Sequence, residues 1–85
     1  MELQWSPEAW DEYLSWQTED RKTLRRVNSL VKSIQRDGKP IGKPELLKGS
    51  KHGLRSARID AKNRLVYKVE EDVVRIVSCK GHYDD

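Results

Sequence analysis

A stretch rich in glycine and proline divides this 85-residue chain into two unlike halves. Residues 38 to 53, GKPIGKPELLKGSKHG, contain four of the five glycines and two of the three prolines, so they predict a loop. Before this stretch apolar residues recur mainly at helical spacing, and after it they form short alternating runs. Because helical and strand-like patterns occupy separate parts of the chain, the sequence predicts an α+β fold.

The amino-terminal end predicts a short strand followed by a first helix. MELQW alternates, and residues 6 to 8, SPE, supply a capping hydroxyl, a proline suited to the first helical position and an acid for the first turn. Within this helix Trp10, Tyr13 and Leu14 fall at positions i, i+3 and i+4. We expect this stripe to be the apolar side of the helix.

A second helix is predicted between the acids at 19 and 20 and the pair Asp37-Gly38. Its apolar side consists of Leu24, Val27, Leu30, Val31 and Ile34. Its opposite side carries Arg21, Lys22, Arg25, Arg26, Lys32 and Arg36. Such a basic side is either a solvated surface or a docking surface for an acidic partner.

Three strand-like runs follow the loop: LRSARID, NRLVYKVE and DVVRIVSC. They predict an antiparallel three-strand meander, which with the amino-terminal strand forms an antiparallel sheet carrying both helices on one face. Since side chains alternate along a strand, Leu65, Tyr67 and Val69 should face the helices. Arg58 and Arg64 should then lie on the opposite, partly open face.

Composition and charge limit the class of protein. With 35% hydrophobic and 36% charged residues, we expect a single domain over residues 1–85 with a thin core. A net charge of +3 mildly favours an anionic partner such as nucleic acid or an acidic protein. The single cysteine excludes an internal disulfide, and no apolar run approaches the roughly 20 residues of a membrane span. A soluble, cytoplasmic protein is expected.

Metal and cofactor chemistry have little support in the sequence. Cys79 and His82 have the C-x-x-H spacing of half a zinc site. A structural zinc usually takes four such ligands, and the sequence offers only one more, His52. No phosphate-binding glycine loop and no G-x-S-x-G elbow are present. We therefore expect no metal and no cofactor, and interpret Cys79 as a small buried thiol.

The remaining chemical groups suit cleavage of RNA. They are an acid, an imidazole, a phenol and several cations: Glu45, Lys48, Arg58, Arg64, His82 and Tyr83. RNA carries its own nucleophile, the ribose 2′-hydroxyl, so cleavage needs a base, an acid and positive charge near the phosphate. By composition alone an inert terminal histidine is the commoner case. The three tryptophans, Trp5, Trp10 and Trp16, are interpreted as packing residues and not as platforms for bases.

Motifs along nearly the whole chain resemble the YoeB (Txe) family of toxins in the RelE superfamily. They are W-S-x-E-x-W-x-x-Y at 5 to 13, K-P-E-x-L at 43 to 47, R-I at 58 and 59, R-L-V-Y at 64 to 67 and C-x-x-H-Y at 79 to 83. The resemblance implies a RelE-like fold and a bacterial toxin–antitoxin endoribonuclease that cuts messenger RNA in the ribosomal A site, inhibiting translation.

The resemblance also implies roles for individual residues. Glu45 matches the general base for the 2′-hydroxyl, Arg64 the cation that stabilises the phosphorane, and His82 the general acid for the leaving 5′ oxygen. Tyr83 matches a residue that holds the substrate or the imidazole. Auxiliary cations are matched by Lys48 and Arg58.

Partners and alternatives follow from the same resemblance. It implies a YefM-type antitoxin with an acidic, disordered carboxyl end, the ribosome with its message, and a possible homodimer. The alternatives are a non-catalytic module of the same fold that binds gyrase, as the related ParE group does, and a plain RNA- or protein-binding domain.

The chain departs from the family at two positions. Arg55 and Ala57 stand where the family usually has a tryptophan and a further arginine. Loss of the aromatic ring is predicted to weaken stacking on a base, and hence the grip on substrate.

Overall fold

Two helices and five strands make up the fold in the computed structural model, which describes residues 1–41, 44–47 and 53–81. The order predicted from the sequence is confirmed, with one additional two-residue strand inside the predicted loop. The elements are β1 (Glu2–Trp5), α1 (Pro7–Glu19), α2 (Arg21–Asp37), β2 (Glu45–Leu46), β3 (Arg55–Arg58), β4 (Arg64–Glu70) and β5 (Val73–Ser78).

The strands form one sheet in the order β1-β5-β4-β3-β2. The meander of β3, β4 and β5 is antiparallel as predicted, and β2 adds to it antiparallel beside β3. The prediction that β1 is also antiparallel was wrong, because β1 lies parallel to β5. Both helices and strands β2 to β4 separate β1 from β5 in sequence. Such a long connection permits parallel pairing, which a short hairpin cannot form.

Helix α1 begins with a cap that also ties it to the sheet. The Ser6 hydroxyl accepts a hydrogen bond from the Ala9 amide at 3.0 Å and donates one to the Val77 carbonyl at 2.9 Å. Pro7 follows as the first helical residue, as the sequence predicts. One hydroxyl therefore satisfies an amide at the start of the helix and fixes where α1 lies relative to β5.

The side of α1 that faces the sheet differs from the prediction. Ala9 and Trp16 are buried and Tyr13 is half-buried, whereas Trp10 is 45% exposed and Leu14 is 41% exposed. Positions 9, 13 and 16 follow one another at i, i+4 and i+7, which is an equally regular helical stripe. The stripe predicted from Trp10, Tyr13 and Leu14 is therefore rotated around the helix relative to the stripe that contacts the sheet.

Helix α2 matches its prediction at both ends and along its buried side. The Asp20 carboxylate caps it by accepting from the Lys22 amide at 3.0 Å and the Thr23 amide at 3.2 Å. A further hydrogen bond from the Thr23 hydroxyl is the main cause of a lowered pKa for the Asp20 carboxyl. At the other end Gly38 adopts φ +79°, the left-handed conformation that favours glycine at a helix end.

The core lies between the two helices and one face of the sheet. Leu65 and Tyr67 are fully buried and Val69 packs against them, so the predicted faces of β4 are confirmed. Their partners from α2 and β5 are Val27, Leu30, Val31, Ile34, Val74 and Ile76. Among the residues that the structure describes, no helix is long and apolar enough to cross a membrane.

Candidate active site

The pairing of β2, β3 and β4 places three of the predicted site residues on one face of the sheet. Glu45 lies opposite Ser56, and Arg58 lies opposite Arg64. Residues directly opposite each other share a face, as do alternate residues of one strand. Glu45, Arg58 and Arg64 therefore lie on the face opposite Leu65, away from the helices.

The register also gives the approximate spacing of Glu45 and Arg64. Glu45 lies two strands from β4, level with Val66, and Arg64 is two residues further along that strand. With strands about 4.8 Å apart and about 3.4 Å per residue, the two Cα atoms are about 12 Å apart. An extended glutamate and an extended arginine can reach towards each other across this distance and leave room for one phosphodiester between them.

Glu45 reaches this face only because the predicted loop contains a strand. Strand β2 has two residues and is exposed, and its pairing with β3 fixes the direction of the Glu45 side chain. Among the described residues, no donor is bonded to the Glu45 carboxylate. Within the described ranges, its lone pairs are left to accept a hydrogen bond from another group.

Arg64 is held by the turn that precedes it. One terminal nitrogen of its guanidinium, Nη1, donates to the Asp60 carbonyl at 2.7 Å and to the Asn63 carbonyl at 3.2 Å. The group is half-buried, and its Nε and Nη2 atoms have no partner within the described ranges. The turn therefore orients the guanidinium while leaving donors for an anion.

Arg58 lies beside Arg64 and is exposed. Its carbonyl accepts a hydrogen bond from the Arg26 guanidinium of α2 at 3.2 Å. The basic side of α2 thus comes within reach of the end of β3. The Arg26 guanidinium contacts the Arg58 backbone from the helix side of the sheet, while the side chains of Arg58 and Arg64 lie on the opposite face.

The chain after β5 is fixed by side chains from two directions. Glu12 accepts a hydrogen bond from the Cys79 amide at 2.8 Å, and the Trp16 indole donates to the Cys79 carbonyl at 3.0 Å. Two residues later the Gly81 amide donates to the Asn63 side chain at 2.7 Å. The Gly81 carbonyl accepts from the Arg64 amide at 3.0 Å, so the described chain ends beside Arg64.

Three of the predicted site residues lie outside the described residues: Lys48, His82 and Tyr83. In the sequence His82 follows Gly81, the residue whose carbonyl accepts the Arg64 amide. The structure brings Glu45, Arg58 and Arg64 together, and their relation to the other three residues stays a prediction.

Cys79 is a buried thiol, as predicted. It is fully buried, and burial, together with the negative charge of Glu12, raises the pKa of Cys79 to about 12. A thiol with this pKa is protonated near neutral pH and is neither a nucleophile nor a ready metal ligand. Within the ranges the structure describes, no group of three or more histidine, cysteine, aspartate or glutamate residues could hold a metal ion. Both histidines, including the one of the C-x-x-H pair, fall outside those ranges.

The three tryptophans differ in burial: Trp16 lies in the core, Trp5 is partly buried against the core, and Trp10 is exposed. Trp16 is buried, and the Lys80 ammonium lies 4.8 Å from the centre of its ring, so its interpretation as a packing residue is confirmed. Trp5 contacts Trp10 and Tyr13 with ring centroids 5.8 Å and 4.9 Å apart. These rings pack against one another, but Trp10 keeps 45% of its surface exposed.

The two departures from the family pattern lie on the other side of the sheet. Arg55 pairs with Tyr67 and Ala57 with Leu65, so both positions are on the helix-facing side. Ala57 is buried there, while Arg55 is exposed at the edge of the helices. This location gives no support to the predicted loss of stacking on a base.

Two residues near the site were not singled out from the sequence. In the sequence Glu12 falls on the polar side of a predicted helix, and Asn63 falls in a predicted turn. Their hydrogen bonds join residues 67 and 18 positions apart in the chain. No local pattern carries such a signal.

Comparison with known proteins shows the family of this chain. Residues 5–83 match the model of the YoeB-like toxin of bacterial type II toxin-antitoxin systems. The chain is 44% identical to the toxin YoeB of Escherichia coli K12 over 86 residues, which cover 98% of this chain and 100% of that protein. The chain belongs to the YoeB family of type II toxins.

Solved structures of YoeB proteins support the RelE-like α+β fold. The YoeB dimer from Staphylococcus aureus superposes with a TM-score of 0.87 at 42% identity, covering 98% of both chains. A heterotetrameric YoeB-YefM toxin-antitoxin complex from the same organism superposes with a TM-score of 0.84 at 42% identity, again covering 98% of both chains. This YoeB-family chain is thus the toxin of a type II toxin–antitoxin system, and the fold predicted from its motifs is confirmed.

Proposed function

We propose that this toxin is an endoribonuclease that cuts messenger RNA in the A site of the ribosome and thereby inhibits translation. The observation that carries the proposal is the common face of Glu45, Arg58 and Arg64, beside the point where the chain continues to His82. An acid–base pair flanking a guanidinium is the minimum that cleavage through the 2′-hydroxyl requires. Such a reaction takes place in the cytoplasm, where translation occurs.

In this mechanism each residue acts on one atom of the scissile linkage. Glu45 removes the proton from the ribose 2′-hydroxyl, whose oxygen attacks the adjacent phosphorus. Arg64 stabilises the charge on the phosphorane, and His82 donates a proton to the departing 5′ oxygen. The products are a 2′,3′-cyclic phosphate, which water can open to a 3′-phosphate, and a new 5′-hydroxyl end. Because RNA supplies the nucleophile, the reaction requires neither a metal nor a covalent enzyme intermediate.

The auxiliary residues increase the positive charge around the phosphate. Arg58 is exposed next to Arg64, where its guanidinium can contact a neighbouring phosphate. Lys48 is proposed to act in the same way, and Tyr83 is proposed to hold the substrate or the imidazole. These contributions concern binding and orientation, so their loss should be smaller than the loss of Glu45 or His82.

The test is induction of the toxin without an antitoxin, followed by mapping of message ends against the reading frame. The wild-type protein should produce new 5′ ends near A-site codons and arrest growth, whereas Glu45→Ala and His82→Ala should not. Wild-type arrest without new 5′ ends would instead identify a binding module of the same fold, such as a gyrase inhibitor. Salt-sensitive RNA binding with neither arrest nor cleavage would identify a plain RNA-binding domain.

A YefM-type antitoxin is the proposed protein partner. The YoeB-YefM complex from Staphylococcus aureus supports this, as does the exposed basic side of α2, which suits an acidic segment. The residues of this side are Arg21, Lys22, Arg25, Arg26, Lys32 and Arg36. Calorimetric titration with an antitoxin carboxyl-terminal peptide should show affinity that falls with salt and with Arg25→Glu. Salt-independent affinity would place the contact elsewhere.

A homodimer is the second proposed assembly, with the exposed part of α1 as its surface. Trp10 and Leu14 are large apolar side chains left 45% and 41% exposed, and the Staphylococcus aureus relative is described as a dimer. Analytical ultracentrifugation should find the wild type as a dimer and Trp10→Glu as a monomer. Ser29→Glu, which adds the same charge on exposed α2, is the control and should stay dimeric. A dimer that survives Trp10→Glu would exclude this surface.

A further inference from the structure

The chain between β3 and β4 turns around the carboxylate of Asp60. Its Oδ1 atom accepts hydrogen bonds from the backbone amides of Lys62 and Asn63, both at 2.8 Å. The side-chain amide of Asn63 donates to Oδ1 at 3.0 Å and to Oδ2 at 3.1 Å. The bond from the Asn63 side chain is the main cause of a lowered pKa for the Asp60 carboxyl, so the group is ionised at neutral pH. One charged group therefore holds three donors of this turn.

The same carboxylate fixes two backbone carbonyls relative to each other. The carbonyls are those of Asp60 and Asn63, and two peptide groups separate them in the chain. The N–H groups of those two peptide groups donate to the carboxylate, and each peptide group is planar, so both planes are held. The Asn63 carbonyl also accepts from the amides of Ile59 at 3.1 Å and Asp60 at 3.3 Å, which closes the turn. The two carbonyl oxygens are thus a fixed pair of acceptors.

Arg64 uses this pair of acceptors for one end of its guanidinium. Nη1 carries two hydrogens and donates to the Asp60 carbonyl at 2.7 Å and to the Asn63 carbonyl at 3.2 Å. A guanidinium can bind an anion through two forks of paired N–H groups, one formed by Nη1 and Nη2 and the other by Nε and Nη2. The turn occupies the first fork, because both hydrogens of Nη1 are taken. The edge formed by Nε and Nη2 remains, and neither atom has a partner among the described residues.

We propose that Asp60 is a positioning residue for Arg64: by closing the turn, its carboxylate makes the guanidinium present the edge of Nε and Nη2 to two oxygens of the scissile phosphate. The inference rests on the proposed ribonuclease function. Asp60 itself contacts no substrate in this scheme and acts through Arg64 alone. Without the carboxylate the two carbonyls lose their fixed relation, and the guanidinium can rotate among orientations of which only some match a phosphate. The chemical step should then slow, because it depends on how the cation is placed.

A double-mutant cycle tests whether Asp60 acts through Arg64. The measurement is single-turnover cleavage of a ribosome-bound message. Asp60→Ala should lower the rate by about 10- to 100-fold, the scale expected for a small misplacement of a catalytic group. In a protein that already carries Arg64→Ala, the same change should alter the rate by less than about twofold, because the group that Asp60 positions is absent. A general disturbance of the fold would lower the rate in both backgrounds and would overturn the inference.

Two further variants separate the shape of the turn from the loss of a charge. Asp60→Asn removes the charge but keeps an oxygen that can accept both backbone amides, as asparagine does in turns. It should retain most of the rate that Asp60→Ala loses. Asp72→Ala makes the same change at an exposed carboxylate in the turn between β4 and β5, which no described residue bonds, and should behave as the wild type. An Asp60→Asn protein as slow as Asp60→Ala would overturn the inference.

Spectra of the toxin without substrate test the orientation of the guanidinium directly. In ¹H–¹⁵N spectra of the wild type, slow rotation should give Arg64 separate Nη1 and Nη2 signals, which should merge in Asp60→Ala. Inorganic phosphate should shift the Arg64 Nε–H proton downfield, whereas sodium chloride at the same ionic strength should not. The wild-type results need no variant, so the test holds even if Asp60→Ala does not fold. Averaged Nη signals in the wild type, or a Nε–H proton that phosphate does not move, would overturn the inference.

The combined outcomes keep this inference distinct from the proposed function. If the wild type cuts no message while the Arg64 signals behave as expected, the ribonuclease proposal fails and the edge of Nε and Nη2 stands as an anion site that Asp60 holds. If the wild type cuts, Arg64→Ala does not, and Asp60→Ala cuts at the wild-type rate, the positioning role alone fails. An Arg64→Ala protein that cuts at the wild-type rate would remove both the proposed role of Arg64 and the role of Asp60.

Discussion

The two faces of the sheet are stabilised by different kinds of interaction. On the helix-facing side, Leu65, Tyr67 and Ile76 pack with apolar residues of α2. On the open side Glu70 forms ion pairs with Lys68 of the same strand at 3.2 Å and with Arg75 of the neighbouring β5 at 3.4 Å. Apolar burial provides most of the free energy of folding, whereas exposed ion pairs provide little. The exposed charged residues of the open face can therefore carry the site with little effect on stability, although Val66 on the same face is fully buried.

The largest expected effect is on activity and comes from the open face. Glu45→Ala should lower single-turnover cleavage of ribosome-bound message by about 10²- to 10⁴-fold, the usual contribution of a general base. The melting temperature should stay the same, since Glu45 is exposed and bonded to no described residue. Glu2→Ala, on the same face at the far edge of the sheet, is the control. A large loss of stability in Glu45→Ala would contradict the separation of the two faces.

The largest effect on stability should come from the helix-facing side. Leu30 is fully buried at the centre of α2, and Leu30→Ala should lower the free energy of unfolding by about 2–5 kcal/mol, as measured by denaturant titration. Leu46→Ala removes the same atoms from an exposed side chain and should change it by less than about 0.5 kcal/mol. Equal effects from the two leucines would show that the core does not lie where the structure places it.

An intermediate effect is expected where helix α1 meets the sheet. Ser6→Ala removes the cap of α1 and the hydroxyl bond to Val77 together. Denaturant titration should show a loss of about 1 kcal/mol, and up to about 2 kcal/mol if both bonds contribute fully. Ser6→Thr, which keeps the hydroxyl, should recover most of this loss. A loss that Ser6→Thr does not recover would mean that the hydroxyl bonds are not its cause.

The buried Cys79 thiol should make stability depend on alkaline pH. Its folded-state pKa of about 12 lies above the reference value of 9.0 for an unperturbed thiol, so its contribution is complete below about pH 9 and is lost as the pH rises towards 12. Between pH 8 and 10.5 the wild type should lose stability more steeply than Cys79→Ala. Other groups that titrate in this range are common to both proteins, so parallel curves would contradict the raised pKa.

The smallest effect should come from the ion pairs of the open face. Glu70→Gln removes the partner of both Lys68 and Arg75, whose side chains are partly or largely exposed. Its cost in denaturant titration should be below about 1 kcal/mol and should shrink in high salt. A loss as large as that of Leu30→Ala would remove the contrast between the faces.

The predictability of each element from the sequence depended on how local its determinants are. Helix α2 has its cap, its apolar period and its terminal glycine within its own residues, so it was predicted almost completely. The predicted contact side of α1 was wrong. Ala9 and Trp16 are buried because of where the sheet lies, which the pattern of the helix alone does not indicate. The parallel pairing of β1 and the two-residue strand β2 depend on distant partners. Neither leaves a pattern in its own few residues.

The candidate site shows the same division. The chemistry of the side chains limited the candidate site residues to a few acids, cations and aromatic groups. The family resemblance implied a role for each of them. That Glu45, Arg58 and Arg64 share one face follows only from the register of β2, β3 and β4, which the sequence does not specify. The contact of Asn63 with Gly81 joins residues 18 positions apart, so only the structure reveals it.

The fastening of Cys79 by α1 and of Gly81 by Asn63 sets a limit on how this chain can change in length. Both attachment points belong to other parts of the fold, and a single residue, Lys80, lies between them. An insertion or deletion there would detach one anchor or force the residues beyond it into a different register. The number of residues between these two attachment points is therefore fixed by the rest of the molecule.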